Sequence, residues 1–172
     1  MPHWVEGDSA ELDEHLPRGA KYDLIFTSPP YWNKEIYSKN EKDGSTFKKY
    51  EDFMVWYAAI FRQAVSRLKP NRFLVVKIQN LRDPKTGFYI NWVGDNIRLF
   101  EQLGLRLYSD GILVTPVGEA APHAATRFPT ARQLESAHQN VLCFWNGDDA
   151  RLVEKELGKL KALNQKGSVV CR

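Results

Sequence analysis

DLIFTSPPYWN, residues 23–33, joins a short run of apolar and β-prone residues directly to Ser28-Pro29-Pro30-Tyr31 and a second aromatic residue, Trp32. The run 23–27 predicts a buried strand, because it is short, apolar and followed by turn-forming residues. In open α/β sheets, ligands bind beyond the carboxyl ends of the strands. The Ser-Pro-Pro-Tyr segment follows such an end and is therefore the first candidate for a binding site.

The residue types in this segment favour a particular kind of ligand. Two prolines stiffen the backbone near φ of about −65° and remove two amide donors, so the carbonyl groups there remain available as acceptors. The Ser28 hydroxyl and the Pro29 carbonyl could each accept a hydrogen bond from an amino group. Tyr31 adds a flat ring against which a planar ligand could stack.

Length and composition define the class of protein. The 172 residues are enough for one domain with a substantial core, and 43% hydrophobic with 26% charged residues is ordinary for a globular protein. No apolar run is long enough to span a membrane, and residues 1–19 do not resemble a signal peptide. Cys143 and Cys171 are too few for a disulfide framework or a metal cluster. We therefore expect a cytoplasmic protein without a metal site.

Helical and strand-like patterns alternate along the rest of the chain. Apolar residues recur with the helical period in 50–69 and 87–104, and the aromatic residues of 53–61 (Phe53, Trp56, Tyr57 and Phe61) form a stripe expected to lie in the core. This alternation predicts one α/β domain over residues 1–172, with a mainly parallel sheet. The other predicted elements are strands at 72–80, 105–116 and 140–147, a last helix within 148–167, and a frayed tail at 164–172.

The TSPPYW stretch, residues 27–32, closely resembles the catalytic motif of S-adenosylmethionine-dependent DNA amino-methyltransferases, an Asp, Asn or Ser followed by Pro-Pro-Tyr. The resemblance continues in EGDSAEL at 6–12, in RLKPNRFLVVKIQ at 67–79 and in HQNVLCFWNGD at 138–148, so it covers most of the chain. It implies a Rossmann-like sheet that is mainly parallel with an antiparallel late strand and is incomplete at its N-terminus. It also implies a reaction on the exocyclic amine of adenine or cytosine. The Ser-Pro-Pro-Tyr form is commoner among the enzymes that act on cytosine N4.

The resemblance also implies roles for individual residues. Ser28, Pro29, Pro30 and Tyr31 would be catalytic, holding the amine of a base flipped out of the DNA helix. Asp8, together with Thr27 and Ser28, would contact the cofactor, S-adenosylmethionine.

Several further residues are candidates for contacts with DNA. The net charge of +3 is compatible with nucleic-acid binding but does not by itself indicate it. Lysines flank the segment after the motif, and two arginines lie in a loop before the last strand, where either group could be simply solvated. The candidates are Trp32, Lys48, Lys49, Asn80, Arg127 and Arg132.

One feature of the family is missing from this sequence. Its members bind the cofactor with a turn of the Phe-x-Gly-x-Gly kind, in which glycine lets the backbone approach the ligand. None of the eleven glycines here lies within two positions of another. Three explanations remain open: the chain is part of a longer one that starts upstream, a second polypeptide completes it, or cofactor binding has been lost. An incomplete sheet would have an exposed edge, which favours self-association or a partner chain.

Two classes of function therefore follow from the sequence. The first is a DNA amino-methyltransferase, or its catalytic-motif portion. The second is a non-catalytic, methyltransferase-like module that binds nucleic acid or a partner chain. A related enzyme acting on RNA or on a protein glutamine is also open, although Ser28 fits the glutamine-modifying relatives poorly because they favour asparagine at this position.

Overall fold

The computed structural model describes residues 4–32, 44–114, 129–130, 132, 136 and 138–158. Within these ranges, a four-stranded sheet carries helices on one face, and a two-stranded hairpin lies beside it. The strands are β1 (Tyr22–Thr27), β2 (Leu68–Ile78), β3 (Leu81–Arg82), β4 (Tyr89–Ile90), β5 (Arg106–Val114) and β6 (His138–Trp145). The helices are α1 (Leu12–His15), α2 (Tyr50–Ser66), α3 (Trp92–Gln102) and α4 (Leu152–Leu157), with 3-10 turns at Ser9–Glu11 and Gly44–Thr46.

The main sheet has the strand order β1-β2-β6-β5. β1 and β2 are parallel, and β6 is antiparallel to both of its neighbours, so β1, β2 and β5 share one direction. This confirms the α/β prediction and the antiparallel late strand. The carboxyl ends of three strands and the amino end of β6 consequently meet at one edge of the sheet.

The aromatic stripe of α2 forms the centre of the core, as predicted. Phe53, Tyr57 and Phe61 are buried, and the Phe61 ring lies 5.0 Å from that of Phe100 on α3. Phe100 in turn lies 4.7 Å from Phe144 on β6. These contacts join α2, α3 and one sheet face into a continuous apolar layer.

A buried polar pair links α2 and α3 inside this layer. The Tyr57 hydroxyl donates to the Asn96 Oδ1 at 2.7 Å, and Asn96 Nδ2 donates to the Trp92 carbonyl at 2.9 Å. Because buried polar groups cost free energy when they lack partners, this pair fixes how the two helices align. Burial raises the pKa of the Tyr57 phenol well above its usual value, so the hydroxyl stays protonated and continues to donate.

Two predicted helix boundaries were wrong. Residues 87–91 fit the helical period, but Tyr89–Ile90 pairs with Leu81–Arg82 as a hairpin strand, and α3 begins only after Asn91. The reason is capping, since Asn91 Oδ1 accepts from the Gly94 amide at 3.1 Å. α2 ends at Ser66, before the predicted end at residue 69, because β2 already begins at Leu68.

The last helix is also shorter than predicted. α4 ends at Leu157 and is followed by Gly158 at φ of 74°, a conformation that suits glycine at a helix end. Residues 159–172, with the predicted frayed tail at 164–172, lie outside the described residues. In the part of the chain that is described, no helix is long and apolar enough to cross a membrane.

Candidate active site

The motif segment leaves the sheet at the carboxyl end of β1. Thr27 pairs with Val76 of β2, and Ser28 follows as an exposed residue at the sheet edge. Pro29 beneath it is buried, which anchors the turn in the protein. Within the described residues, neither the Ser28 hydroxyl nor the Pro29 carbonyl makes a hydrogen bond. Two acceptors without a hydrogen-bond partner among the described residues are thus held on a stiff loop.

Tyr31 is placed differently from the stacking platform that the sequence predicts. Only 7% of its surface is exposed, and its ring packs edge-on against Trp92 with centroids 5.1 Å apart. Its hydroxyl accepts a hydrogen bond from Gln139 Nε2 at 2.9 Å. In this structure, the ring faces the core, so a stacking role would require its face to be uncovered.

Trp32 is buried in this structure, so its predicted contact with nucleic acid would require the ring to be uncovered and stays a prediction. Its exposed fraction is 5%, and its indole N–H donates to the Phe47 carbonyl at 2.8 Å. Its ring also packs edge-on against Tyr50, with centroids 5.5 Å apart. An aromatic residue after a proline-rich turn can either contact a ligand or pack in the core. Here Trp32 packs against α2.

The hydrogen bond from Trp32 to the Phe47 carbonyl brings the segment with two predicted DNA contacts, Lys48 and Lys49, to the motif. Lys48 and Lys49 directly follow Phe47 and are both exposed. The Lys49 carbonyl accepts from the Phe53 amide at 3.2 Å, so Lys49 stands at the start of α2. Both lysines are therefore exposed directly after Phe47, whose carbonyl binds Trp32 at the end of the motif segment.

The Tyr50 phenol lies beside these lysines, at the amino end of α2. It donates to Asp95 Oδ2 at 2.6 Å, and Asp95 also pairs with Arg98. Burial, reinforced by the Asp95 hydrogen bond, raises the pKa of Tyr50 well above its usual value. This phenol therefore links α2 to α3 and does not serve as a base.

Asp8 caps its own turn. Its Oδ1 accepts from the Ala10 amide at 2.9 Å, and the Ala10 carbonyl accepts from Gln63 Nε2 of α2 at 2.8 Å. Arg67 further holds this segment through Asp13, at 2.9 Å from Nε to Oδ1. Within the described residues, no hydrogen bond or ion pair joins Asp8 to Ser28 or Thr27.

A small open cleft of about 160 Å³ lies at the same sheet edge, between the ends of β2 and β6. Asn80 belongs to it, although its Oδ1 is engaged with the Val93 amide at 3.0 Å. The Arg82 guanidinium covers the Tyr89 ring at 4.0 Å on one flank. Polar, uncharged side chains dominate the lining: Gln79, Asn80, Tyr89, Ser136, His138 and Asn140.

The remaining predicted contacts are less well placed. Arg132 is exposed and lies at φ of 54°, whereas Arg127 falls outside the described residues. In the described ranges, no group of three or more His, Cys, Asp or Glu side chains is arranged to hold a metal ion.

Gln139 is the residue that sequence reasoning missed. It lies 108 positions from Tyr31 in the chain, yet it holds the motif hydroxyl. The sequence did contain a signal for its position at the motif. An antiparallel strand begins at the sheet edge where the parallel strands end, and the stretch HQNVLCFW starts with polar residues. Gln139 thereby connects β6 to the motif.

We expect Gln139→Ala and Tyr31→Phe to be energetically coupled by about 1 kcal/mol, the net value of an ordinary hydrogen bond. Urea unfolding of both single variants and the double variant measures this coupling. Gln79→Ala is the matched control, since the Gln79 amide makes no hydrogen bond within the described residues. Strictly additive effects of the two changes would show that the contact contributes nothing.

Comparison with known proteins gives a family and a fold. A family model described as a DNA methylase matches residues 22–169. A Thermus thermophilus protein provisionally assigned as a DNA modification methylase superposes with a TM-score of 0.60 at 18% identity, over 90% of this chain and 58% of its own. Its complex with S-adenosyl-L-methionine gives a TM-score of 0.56 at 16% identity, over 83% and 52%.

The cytosine-N4-specific PvuII DNA methyltransferase gives a TM-score of 0.57 at 19% identity, over 95% of this chain and 57% of its own. These likenesses establish a methyltransferase-like fold. The chain spans less than two thirds of the length of each of these solved structures. No curated protein matches it.

Proposed function

The chain belongs to the DNA methylase family, and from this premise we propose that it is the target-base portion of an enzyme that methylates an exocyclic amine in DNA. The observation that carries the proposal is the pair of available acceptors, the Ser28 hydroxyl and the Pro29 carbonyl, on a rigid turn at the carboxyl edge of the sheet. An amino group is the donor that matches such a pair. S-adenosyl-L-methionine is the proposed source of the methyl group.

The chemistry required of these residues follows from the nature of the amine. Its lone pair is delocalised into the ring, so it is a weak nucleophile. Hydrogen bonds from its N–H groups to Ser28 and to the Pro29 carbonyl would favour a pyramidal nitrogen and stabilise the positive charge that develops there. The buried Pro29 holds both acceptors in place, so orientation contributes as well.

The described residues fit the cofactor only in part. S-adenosyl-L-methionine would supply an activated methyl group, and Asp8, Thr27 and Ser28 are the proposed residues on its side of the site. However, the Asp8 carboxylate is used to cap its own turn, and the sequence contains no Gly-x-Gly. The cradle for the cofactor is therefore incomplete, and we assign no catalytic step to these residues through it.

Between the two amines, we favour cytosine N4. Ser28 at the first motif position supports this choice, since the serine form is commoner among enzymes acting there. Mass spectrometry of nucleosides from treated DNA would decide it, because N4-methyldeoxycytidine and N6-methyldeoxyadenosine are resolved from each other.

The proposed DNA-binding surface combines Lys48 and Lys49 beside the motif with Asn80 and Arg132. The two lysines would contact phosphates, whereas Asn80 would contact a base edge through its amide nitrogen. Such contacts make binding depend on salt, since each neutralised phosphate releases condensed counterions.

We expect the purified chain to bind unmethylated duplex DNA with an affinity that falls steeply as salt rises. Lys48→Ala and Lys49→Ala should each reduce the slope of log affinity against log salt by about 1. Fluorescence anisotropy of a labelled duplex measures this, with Lys155→Ala on α4 as the control. A wild-type chain that does not bind DNA at low salt would contradict the proposed function.

The missing glycine turn supports a second candidate, a non-catalytic module that binds DNA or a partner chain. Both candidates predict salt-dependent DNA binding, but only the enzyme predicts dependence on Ser28. Methylated nucleosides formed by any assembly that contains this chain, and lost in a Ser28 variant, would rule out the module.

A further inference from the structure

We propose that the hairpin formed by β3 and β4 contacts the DNA, and that Phe88 stacks on the base left unpaired when the target nucleotide is flipped out of the duplex. The inference rests on the proposed function and adds to it the surface that would enter the base stack. The residues concerned lie outside the motif segment.

The hairpin stands at the ligand edge of the main sheet. Only Gln79 and Asn80 separate the end of β2 from the start of β3. Asn80 and Tyr89 of β4 line the cleft at this edge. The cleft is joined to the motif through β6, where Gln139 binds the Tyr31 hydroxyl between two cleft residues. DNA that delivers a base to this edge would therefore lie against the hairpin.

The pairing of the two strands gives the hairpin an anchored face and an outward face. Leu81 pairs with Ile90, and Arg82 pairs with Tyr89. Leu81 is buried and Ile90 packs against the core, so this pair fixes the hairpin to the rest of the protein. Because side chains alternate across a strand, Arg82 and Tyr89 lie on the opposite face. Tyr89 is 53% exposed, so the outward face presents an accessible ring.

The turn between the strands is held by its own hydrogen bonds. The Asp83 amide donates to the Phe88 carbonyl at 2.9 Å, and the Gly87 amide donates to the Asp83 carbonyl at 2.8 Å. The Asp83 carboxylate accepts from the Lys85 amide at 2.7 Å and from the Thr86 amide at 3.2 Å. Gly87 lies at φ of 75°, a conformation that favours glycine. The turn is therefore preorganised, which reduces the entropy lost when it contacts a ligand.

The side chains on this hairpin suit a nucleic acid. Phe88 is 78% exposed at the base of the turn, although burial of such a ring would normally stabilise the fold. The Arg82 guanidinium covers the Tyr89 ring at 4.0 Å, and Lys85 is exposed on the turn. Asp83 is the one acid of residues 81–90, and the amides of the turn bind it. Cations beside exposed rings match the phosphates and the base faces of DNA.

Base flipping explains why an exposed ring is useful at this position. Extruding a nucleotide costs pairing and stacking, and it leaves the partner base without a neighbour. Proteins that unstack DNA commonly insert an apolar side chain between the bases. Phe88 is the one aromatic residue of the turn 83–88, so it is the side chain that could fill the gap.

The test compares two labelled duplexes by fluorescence anisotropy. One is fully paired, and the other carries an abasic site opposite 2-aminopurine, which reproduces the gap left by a flipped base. Because stacking on an aromatic side chain stabilises each base, we expect the chain to bind the gapped duplex about tenfold more tightly. We also expect the 2-aminopurine fluorescence to be quenched on binding.

Variants assign the effect to the hairpin. Phe88→Ala should abolish the preference and the quenching and leave binding to the paired duplex unchanged, since the exposed ring contributes little to the fold. Phe88→Trp keeps a stacking ring and should retain both effects. Val55→Ala, at a 72% exposed position on α2, is the matched control for the loss of an exposed apolar side chain.

Three results would contradict the inference. Equal binding of the two duplexes by the wild-type chain, or quenching that persists in Phe88→Ala, would overturn it while the proposed function stands. A dimer that Phe88→Ala dissociates in sedimentation would place a second copy on the hairpin and overturn it as well. A chain that binds neither duplex at low salt would overturn the proposed function itself, so the two failures are distinguishable.

Discussion

Ser28→Ala is expected to lower the rate of methyl transfer by about 10²–10³-fold, the effect of removing one preorganised hydrogen-bonding group from a developing charge. The hydroxyl is one of only two acceptors proposed for the amine, and it is exposed at the end of β1 with no competing partner in the described residues. A water molecule would replace the Ser28 hydroxyl poorly. The buried Pro29 fixes the geometry of the turn that carries the hydroxyl, whereas a water molecule is not held in one orientation.

The rate is measured as incorporation of labelled methyl into unmethylated DNA, in the smallest assembly that binds the cofactor. Ser28→Asn is the matched variant, because it keeps an acceptor oxygen and corresponds to another form of the family motif, so we expect it to retain much of the activity. Ser109→Ala on β5 controls for the loss of a hydroxyl elsewhere. An unchanged kcat in Ser28→Ala with normal DNA binding would remove Ser28 from the reaction.

The fold was largely predictable because two strong local sequence signals dominate it. The aromatic stripe of α2 recurs with the helical period and is buried where the period requires. The strand before Ser28 was recognisable from its apolar run and the prolines after it. The hairpin strand at Tyr89–Ile90 was not recognisable, since both residues also fit the period of α3 and only the cap at Asn91 separates the two elements.

The candidate site was predictable only where it is continuous in sequence. Ser28 and Pro29 are neighbours in the chain, and the strand they follow places them at the ligand edge. The Gln139–Tyr31 bond depends instead on the register that brings position 139 of β6 next to the motif, which no local pattern specifies. The burial of Trp32 was equally hard to predict, because exposure cannot be inferred from residue type. Its indole N–H donates to the Phe47 carbonyl, 15 residues away.

Trp92 shows how the core and the motif depend on one another. It is the first residue of α3 and is fully buried, in ring contact with Tyr31 at 5.1 Å, Tyr57 at 5.9 Å and Phe53 at 6.1 Å. Its carbonyl also accepts the Asn96 amide. One side chain thus supports the motif tyrosine from below while closing the layer between α2 and α3.

Trp92→Ala should therefore lower the free energy of unfolding by about 3–5 kcal/mol, the usual cost of emptying a large aromatic site in a core. Small domains have only about 5–15 kcal/mol in total, so the variant would be close to unfolding. Urea denaturation measures the loss, with Phe88→Ala as the control, because Phe88 is 78% exposed and should change stability by less than about 0.5 kcal/mol.

Trp92→Phe provides a variant that should remain folded. It keeps an aromatic ring beneath Tyr31 but leaves part of the indole volume empty, so we expect a smaller loss of stability and a weaker coupling between Tyr31 and Gln139. If the coupling stays unchanged while stability falls, Trp92 supports only the core and the motif tyrosine is held by Gln139 alone. A Trp92→Ala variant that loses less than about 1 kcal/mol would contradict the central place given to this residue, since so small a loss is typical of exposed or loosely packed sites.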